Sequence, residues 1–170
     1  MKAVVTLSKK FFPKHFRAGE ETEFKKKVLA GSKLHTCRGN YEYWAKKVAK
    51  IQETGGILSV RQWSEKPYRS PQEIVVEVPG EVVGIQKLEL RRKQIAADHY
   101  EYNAEVDGCP VSLEMLAAND GLTIEEYKAW FAPVFNSAMK KYPALTQVSK
   151  AIILDFAIIH FTKQKYEYAK

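Results

Sequence analysis

The chain has 170 residues, 45% hydrophobic and 28% charged, with a net charge of +7, a composition that builds a core and excludes a disordered chain. No apolar run reaches the roughly 18 residues of a membrane helix, no apolar leader opens the chain, and two cysteines make no disulfide framework. A soluble, reduced, cytoplasmic protein with no membrane partner is therefore expected. The charge is uneven: residues 1–50 hold 13 basic and 4 acidic side chains, and the remaining 120 hold 14 and 16. A basic third on a near-neutral remainder suits a polyanion such as nucleic acid. The plainer alternative is that the lysines only solvate helix surfaces.

Residues 3–7, Ala-Val-Val-Thr-Leu, read as a first short strand, and Phe11-Phe12-Pro13 opens a loop to Gly19. Thr22 is expected to cap a helix running to about Ala30, with Phe24, Val28 and Leu29 on its apolar face. Gly31 supplies its stop, and residues 31–38, Gly-Ser-Lys-Leu-His-Thr-Cys-Arg, follow as an extended polar octet. Asn40 caps a second helix to about Gln52. Tyr41, Trp44, Val48 and Ile51 recur at helical spacing as a core stripe, leaving Lys46, Lys47 and Lys50 outside. After Gly55-Gly56, residues 57–63 form a strand. Residues 64–71 are a turn-rich connection holding Lys66, Tyr68 and Arg69.

Residues 74–78 and 82–90 read as strands on either side of a Pro79-Gly80 turn, and residues 100–106 as another, closed by Asp107-Gly108. A short helix is expected over 111–118. Thr123-Ile-Glu-Glu126 is a capping box opening a helix with Tyr127, Trp130, Phe131 and Val134 on one face. Residues 136–150, interrupted by Pro143, read as an exposed excursion, and residues 156–162 as a central strand. Strands with helices clustered early and late predict an α+β domain, a mixed or closed sheet flanked by helices.

The order Gly31-x-Lys33-x-x-Thr36-x-Arg38 at a helix end resembles the signature of ASCH domains, members of the PUA-like superfamily. Three further pieces resemble the family in order: Val60-Arg61-Gln62-Trp63 leading to residues 74–78, Asp120-Gly-Leu-Thr-Ile-Glu-Glu-Tyr, and Ile158-Ile-His-Phe-Thr162. The likeness spans about residues 20–162 of one domain, 1–170, with insertions near 40–54, 91–110 and 136–150. It implies a small mixed β-barrel flanked by helices, with a cleft beside the octet, and an RNA- or nucleotide-binding protein. Some small bacterial members hydrolyse N4-acetylcytidine with a Lys, a Thr and a Glu. Lys33 and Thr36 stand at two of those positions, and Asp120, one methylene shorter, stands at the third.

The octet has the residue types for such work. If desolvated, Lys33 can take a proton from the Thr36 hydroxyl, Arg38 can hold an oxyanion or a phosphate, and Asp120 can orient Lys33 or protonate a leaving amine. The plain alternative is a Lys33–Asp120 ion pair pinning the octet to the late helix. In extended backbone Thr36 and Arg38 share one side. Lys33, Thr36 and Arg38 are thus expected toward a cleft, and His35 and Cys37 toward packing. Arg61, Trp63, Tyr68 and Arg69 add cations and rings for phosphates and a nucleobase.

Three functions follow as expectations. The leading one is an RNA- or nucleotide-binding cleft built on Lys33, Thr36, Arg38, Arg61, Trp63, Tyr68 and Arg69. The others are an amidohydrolase acting on N4-acylated cytidine through Lys33, Thr36 and Asp120, and a protein-interaction module with no ligand. No cofactor is expected. His35 and Cys37 are two metal ligands where a site needs more, Cys37 reads as a partly buried inert thiol, and His160 as a satisfied core histidine.

Overall fold

The computed structural model describes residues 1–141 and 151–167. Strand β1, Lys2–Leu7, buries Ala3, Val5 and Leu7 at period two and pairs in parallel with β3, Ile57–Trp63. Strand β4, Gln72–Pro79, runs antiparallel to β3 and completes a three-stranded sheet in the order β1-β3-β4. A register shift between Val60 and Arg61 interrupts the alternation of β3.

The second sheet holds five strands. Strand β2 is His35–Arg38, β5 Gly84–Ala96, β6 His99–Val106, β7 Cys109–Val111 and β8 Ile152–His160, in the order β2-β8-β5-β6-β7. Strand β8 lies between β2 and β5, antiparallel to both, so the expected central strand is central and starts four residues earlier than expected. Residues from Ala157 to Ile159 are fully buried, as a strand covered on both faces requires. Strand β5 extends past Leu90 to Ala96, because β6 pairs with it along that whole length.

Helix α1, Phe24–Leu29, packs Phe24 inward, but Leu29 is 62% exposed rather than part of the apolar face. Its cap residue is Glu23 in left-handed backbone, and the Thr22 hydroxyl, one residue earlier, accepts from the Phe24 amide at 3.4 Å and donates to the Ser8 carbonyl. Gly31, at φ +75°, ends the helix as expected. Helix α2, Tyr41–Glu53, is capped by the Asn40 side chain, which accepts from the Tyr43 amide at 3.1 Å. Val48 and Ile51 are buried beneath it against β1, β3, β5 and β8, with Tyr41 and Trp44 half-buried at the margin.

Helix α3 is Leu113–Asn119. It starts later than expected because Val111 belongs to β7 and the Ser112 hydroxyl caps the helix. Helix α4, Ile124–Lys141, opens on the expected capping box: Glu126 accepts from the Thr123 amide at 2.9 Å and donates its own amide to the Thr123 hydroxyl. Its buried stripe is Tyr127, Phe131 and Phe135, while Val134 is exposed. Residues 136–141 continue this helix rather than forming an excursion, and residues 142–150 lie outside the described residues.

The architecture is α+β, with two sheets and four helices among the described residues. The expected barrel closure is not seen: no backbone ladder joins β1, at the edge of one sheet, to β2, at the edge of the other. One side chain spans that seam. The Arg38 guanidinium donates to the Thr6 carbonyl at the end of β1, and to the Cys37 carbonyl and Thr36 hydroxyl within β2.

Candidate functional site

The octet lies at the seam and is closed. Lys33 is 2% exposed, and its ammonium donates both to the Asp120 carboxylate Oδ1 and to the Asp120 carbonyl, each at 2.6 Å. The same ammonium lies 4.2 Å from the Phe24 ring centroid. Gly121 makes this approach possible, since at φ +79° a Cβ there would stand 3.2 Å from the Lys33 Cβ. Burial draws the Lys33 amine below its ordinary range and pushes the Asp120 carboxyl up, and each partner opposes the shift of the other.

Thr36 and Arg38 share a side as expected, with the Arg38 Nη1 donating to the Thr36 Oγ1 at 2.9 Å. Lys33 and Asp120 line the same small space as Thr36 and Arg38, and Cys37, expected toward packing, lines it too. One ligand atom each of His35, Cys37 and Asp120 lies within 4.8 Å of the other two. These three are donor types that hold metals, but the ammonium of Lys33 already takes the Asp120 Oδ1, so the cation at that carboxylate is the chain's own. The Cys37 thiol faces the Tyr127 hydroxyl at 3.8 Å, and burial raises its pKa well above the ordinary thiol range. Burial thus favours the protonated thiol over the thiolate.

Beside these groups the interior leaves about 20 Å³, lined by Lys33, Thr36, Cys37, Arg38 and Asp120 among others. That is room on the scale of a single water, not of a nucleoside. The ammonium is turned to two oxygens of Asp120, and the Thr36 hydroxyl is held by Arg38.

A network that no sequence signal announces supports the far side of the octet. His35 Nε2 meets the Tyr166 hydroxyl at 2.7 Å, and Asn119 donates to the same hydroxyl. Gln86 bonds His160 Nε2, the Tyr166 amide and the Tyr166 carbonyl, which straps the C-terminal segment across β5 and β8. Burial holds His160 down at about 4 and His35 well below the usual imidazole range, so both are neutral. His160 is thus the satisfied core histidine expected of an apolar run.

The open space is elsewhere. Three larger spaces are present: about 810 Å³ on the far side of the octet, lined by Leu34, His35, Asn119, His160 and Tyr166, about 630 Å³ beside α1, and a cleft of about 750 Å³ that adjoins the small cavity, with Leu7 and Ser8 lining both. The end of β1 and the loop after it form one wall with Thr6, Lys9, Lys10, Phe12 and Pro13, and Trp63, Lys66, Pro67 and Tyr68 form the other. Trp63 and Tyr68 pair at 5.1 Å between ring centroids, tilted 49°. Tyr68 is 89% exposed and sits at φ +62°, a left-handed conformation that costs a non-glycine residue on the order of 1 kcal/mol or more.

The loop that holds Tyr68 there is pinned by its own polar groups. Ser70 accepts from the Glu65 amide and donates to the Lys66 carbonyl, and the Ser64 amide donates to the Pro71 carbonyl. Lys9 reaches across and donates to the Ser64 carbonyl at 2.6 Å, fixing the two walls to each other. Lys10 and Lys66 line the cleft without an ion-pair partner among the described residues, while Glu21 and Glu65 add two carboxylates.

The candidate residues therefore separate into groups. Lys33, Thr36, Arg38 and Asp120 come together around the closed cavity, and Trp63 and Tyr68 on the open cleft. Arg61 turns to Ser59 and Gln72, and neither Arg61 nor Arg69 lines either space. Lys9, Lys10 and Phe12 belong to the cleft and fall outside the sequence motif. Their signal is the run of two cations and two rings, Lys9-Lys10-Phe11-Phe12, just after a strand.

Among the described residues no helix is long and apolar enough to cross a membrane. Compared with known proteins, the chain matches no family model, no curated protein and no solved structure.

Proposed function

We propose that the chain binds single-stranded RNA or a nucleotide in the cleft between Lys9-Lys10-Phe12 and Trp63–Tyr68. One observation carries this reading: a tyrosine ring held almost wholly in solvent, on strained backbone, beside a tryptophan and two lysines without an ion-pair partner among the described residues. An exposed aromatic ring contributes nothing to the core. A base stacked on such a ring gains about 1–3 kcal/mol, and lysines at the same cleft take the phosphates. The volume suits a ligand of nucleotide size.

The likeness to ASCH domains supports the same ligand class with a displaced site. In this reading the octet is the platform: Arg38 holds the end of β1, from which Thr6, Leu7, Ser8 and Lys9 extend along the cleft. Lys33 and Asp120 act as the internal ion pair that keeps the platform in place. The amidohydrolase alternative draws no support from a space of about 20 Å³.

The test is fluorescence anisotropy with a short labelled oligouridylate at low salt. Binding that falls at least about fivefold in Trp63→Ala is expected from the loss of one stacking platform. Absence of binding by the wild-type chain, or equal binding by that variant, rejects the proposal.

A further inference from the structure

We infer that the polyanion held in the cleft continues along the outer face of α2, so that the ligand is a single strand several nucleotides long rather than a free nucleotide. The inference rests on the nucleotide-binding reading of the cleft and adds a second surface to it.

Helix α2 is covered on one side only. Val48 and Ile51 supply its packing, and the outward side carries Tyr43, Lys46, Lys47 and Lys50. At about 100° per residue these four fall within one arc of the helix, so they form a single stripe. Tyr43 is 47% exposed, and the Lys47 ammonium lies 4.6 Å from its ring centroid and 5.7 Å from that of Trp44. Lys46 and Lys50 are exposed and enter no ion pair among the described residues. The helix's two carboxylates, Glu42 and Glu53, flank the stripe at its ends and also stay unpaired among the described residues.

The first turn of α2 lies near the Thr6 end of the cleft. Asn40, the cap of α2, lies two residues beyond Arg38, and Arg38 is bonded to the carbonyl of Thr6 in the cleft wall. In this inference a run of phosphates leaving the cleft at Thr6 is led toward the first turn of the helix. From Tyr43 to Lys50 the stripe extends the binding surface by roughly 10 Å at 1.5 Å per residue. Rings interleaved with unpaired ammonium groups are the pairing that single-stranded nucleic acid uses, one for bases and the other for phosphates. A duplex hides its bases from such rings, and a mononucleotide does not reach the helix.

The experiment compares oligouridylates of about four and about sixteen nucleotides, the span of single-strand site sizes, on the wild-type chain and on Lys46→Gln/Lys47→Gln/Lys50→Gln. These side chains lie on the outer face, and unchanged circular dichroism and melting temperature check that the variant is folded. The expected result is unchanged affinity for the short oligomer and at least about tenfold weaker binding of the long one at low salt. The slope of log K against log salt for the long oligomer drops by about 2, near 0.7 for each phosphate that the three lysines neutralise.

Equal binding of the long oligomer by both chains overturns the inference, as does a wild-type chain that binds both lengths equally tightly. In both cases the cleft reading stands if Trp63→Ala still weakens the short oligomer. A wild-type chain that binds neither length overturns the cleft reading and the inference together.

Discussion

The octet and the loop at residues 64–71 are both polar, and they spend their polarity in opposite ways. In the octet, Lys33, Arg38 and Asp120 satisfy one another or nearby carbonyls, and a residual space of about 20 Å³ remains. In the loop, backbone amides and Ser70 fix the chain while the Tyr68 ring and the Lys66 ammonium are left to solvent beside about 750 Å³. A motif rich in chemically able residues can be a structural clamp, and a loop of ordinary composition can be the place where a ligand fits. What separates them is whether each polar group already has its partner.

The largest expected effect breaks the clamp. Lys33→Met leaves the Asp120 carboxylate buried and unpaired and costs about 3–5 kcal/mol in urea unfolding. The double variant Lys33→Met/Asp120→Leu removes both charges at similar volume and recovers most of that loss. A single variant as stable as the wild type shows that the pair is not a clamp.

The next effect is a dependence on pH. His160 holds its proton less firmly in the folded chain, at about 4, than in the unfolded chain, near 6.5. Between those values the unfolded chain binds more protons, so stability falls as pH is lowered through the window and changes no further from this group below about 4. The loss is on the order of 3 kcal/mol from His160, and His35 adds to it in the same direction. Unfolding curves at pH 7 and pH 4.5 measure it, and His160→Gln, which keeps a partner for Gln86, flattens the dependence. A wild-type chain equally stable at both values contradicts the buried neutral imidazoles.

The smaller effects belong to the cleft and fall on binding rather than folding. Tyr68→Ala weakens oligouridylate binding by about 1–3 kcal/mol and leaves the melting temperature nearly unchanged, because the ring packs on little besides Trp63. Lys10→Ala and Lys66→Ala each lower the salt slope of single-strand binding by about 0.7. A larger change in melting temperature than in affinity assigns these groups to the fold.

Much of the architecture is legible as pattern. The α2 cap at Asn40, the capping box at Thr123–Glu126, the stop at Gly31 and the central β8 rest on local chemistry that residues carry with them. The misreadings lie where tertiary context decides. Leu29 and Val134 are apolar residues at helical spacing left uncovered, and Thr22 turns to a carbonyl of another segment. The motif brings Lys33, Thr36, Arg38 and Asp120 together but says nothing of how little space is left beside them, which Phe24, Leu122, Trp130 and Phe131 also line. The cleft is half legible: Trp63 and Tyr68 stand out as rings, whereas Lys9, Lys10 and Phe12 face them only because β1 runs parallel to β3.

The most direct measurement compares oligouridylate affinity in two variants, Tyr68→Ala and the folded double variant Lys33→Met/Asp120→Leu. A division of roles between clamp and cleft predicts that Tyr68→Ala loses at least about fivefold in affinity, the low end of one stacked base. The double variant binds as the wild type does. Loss of binding in the double variant with full binding by Tyr68→Ala would contradict it, and would return the site to the octet.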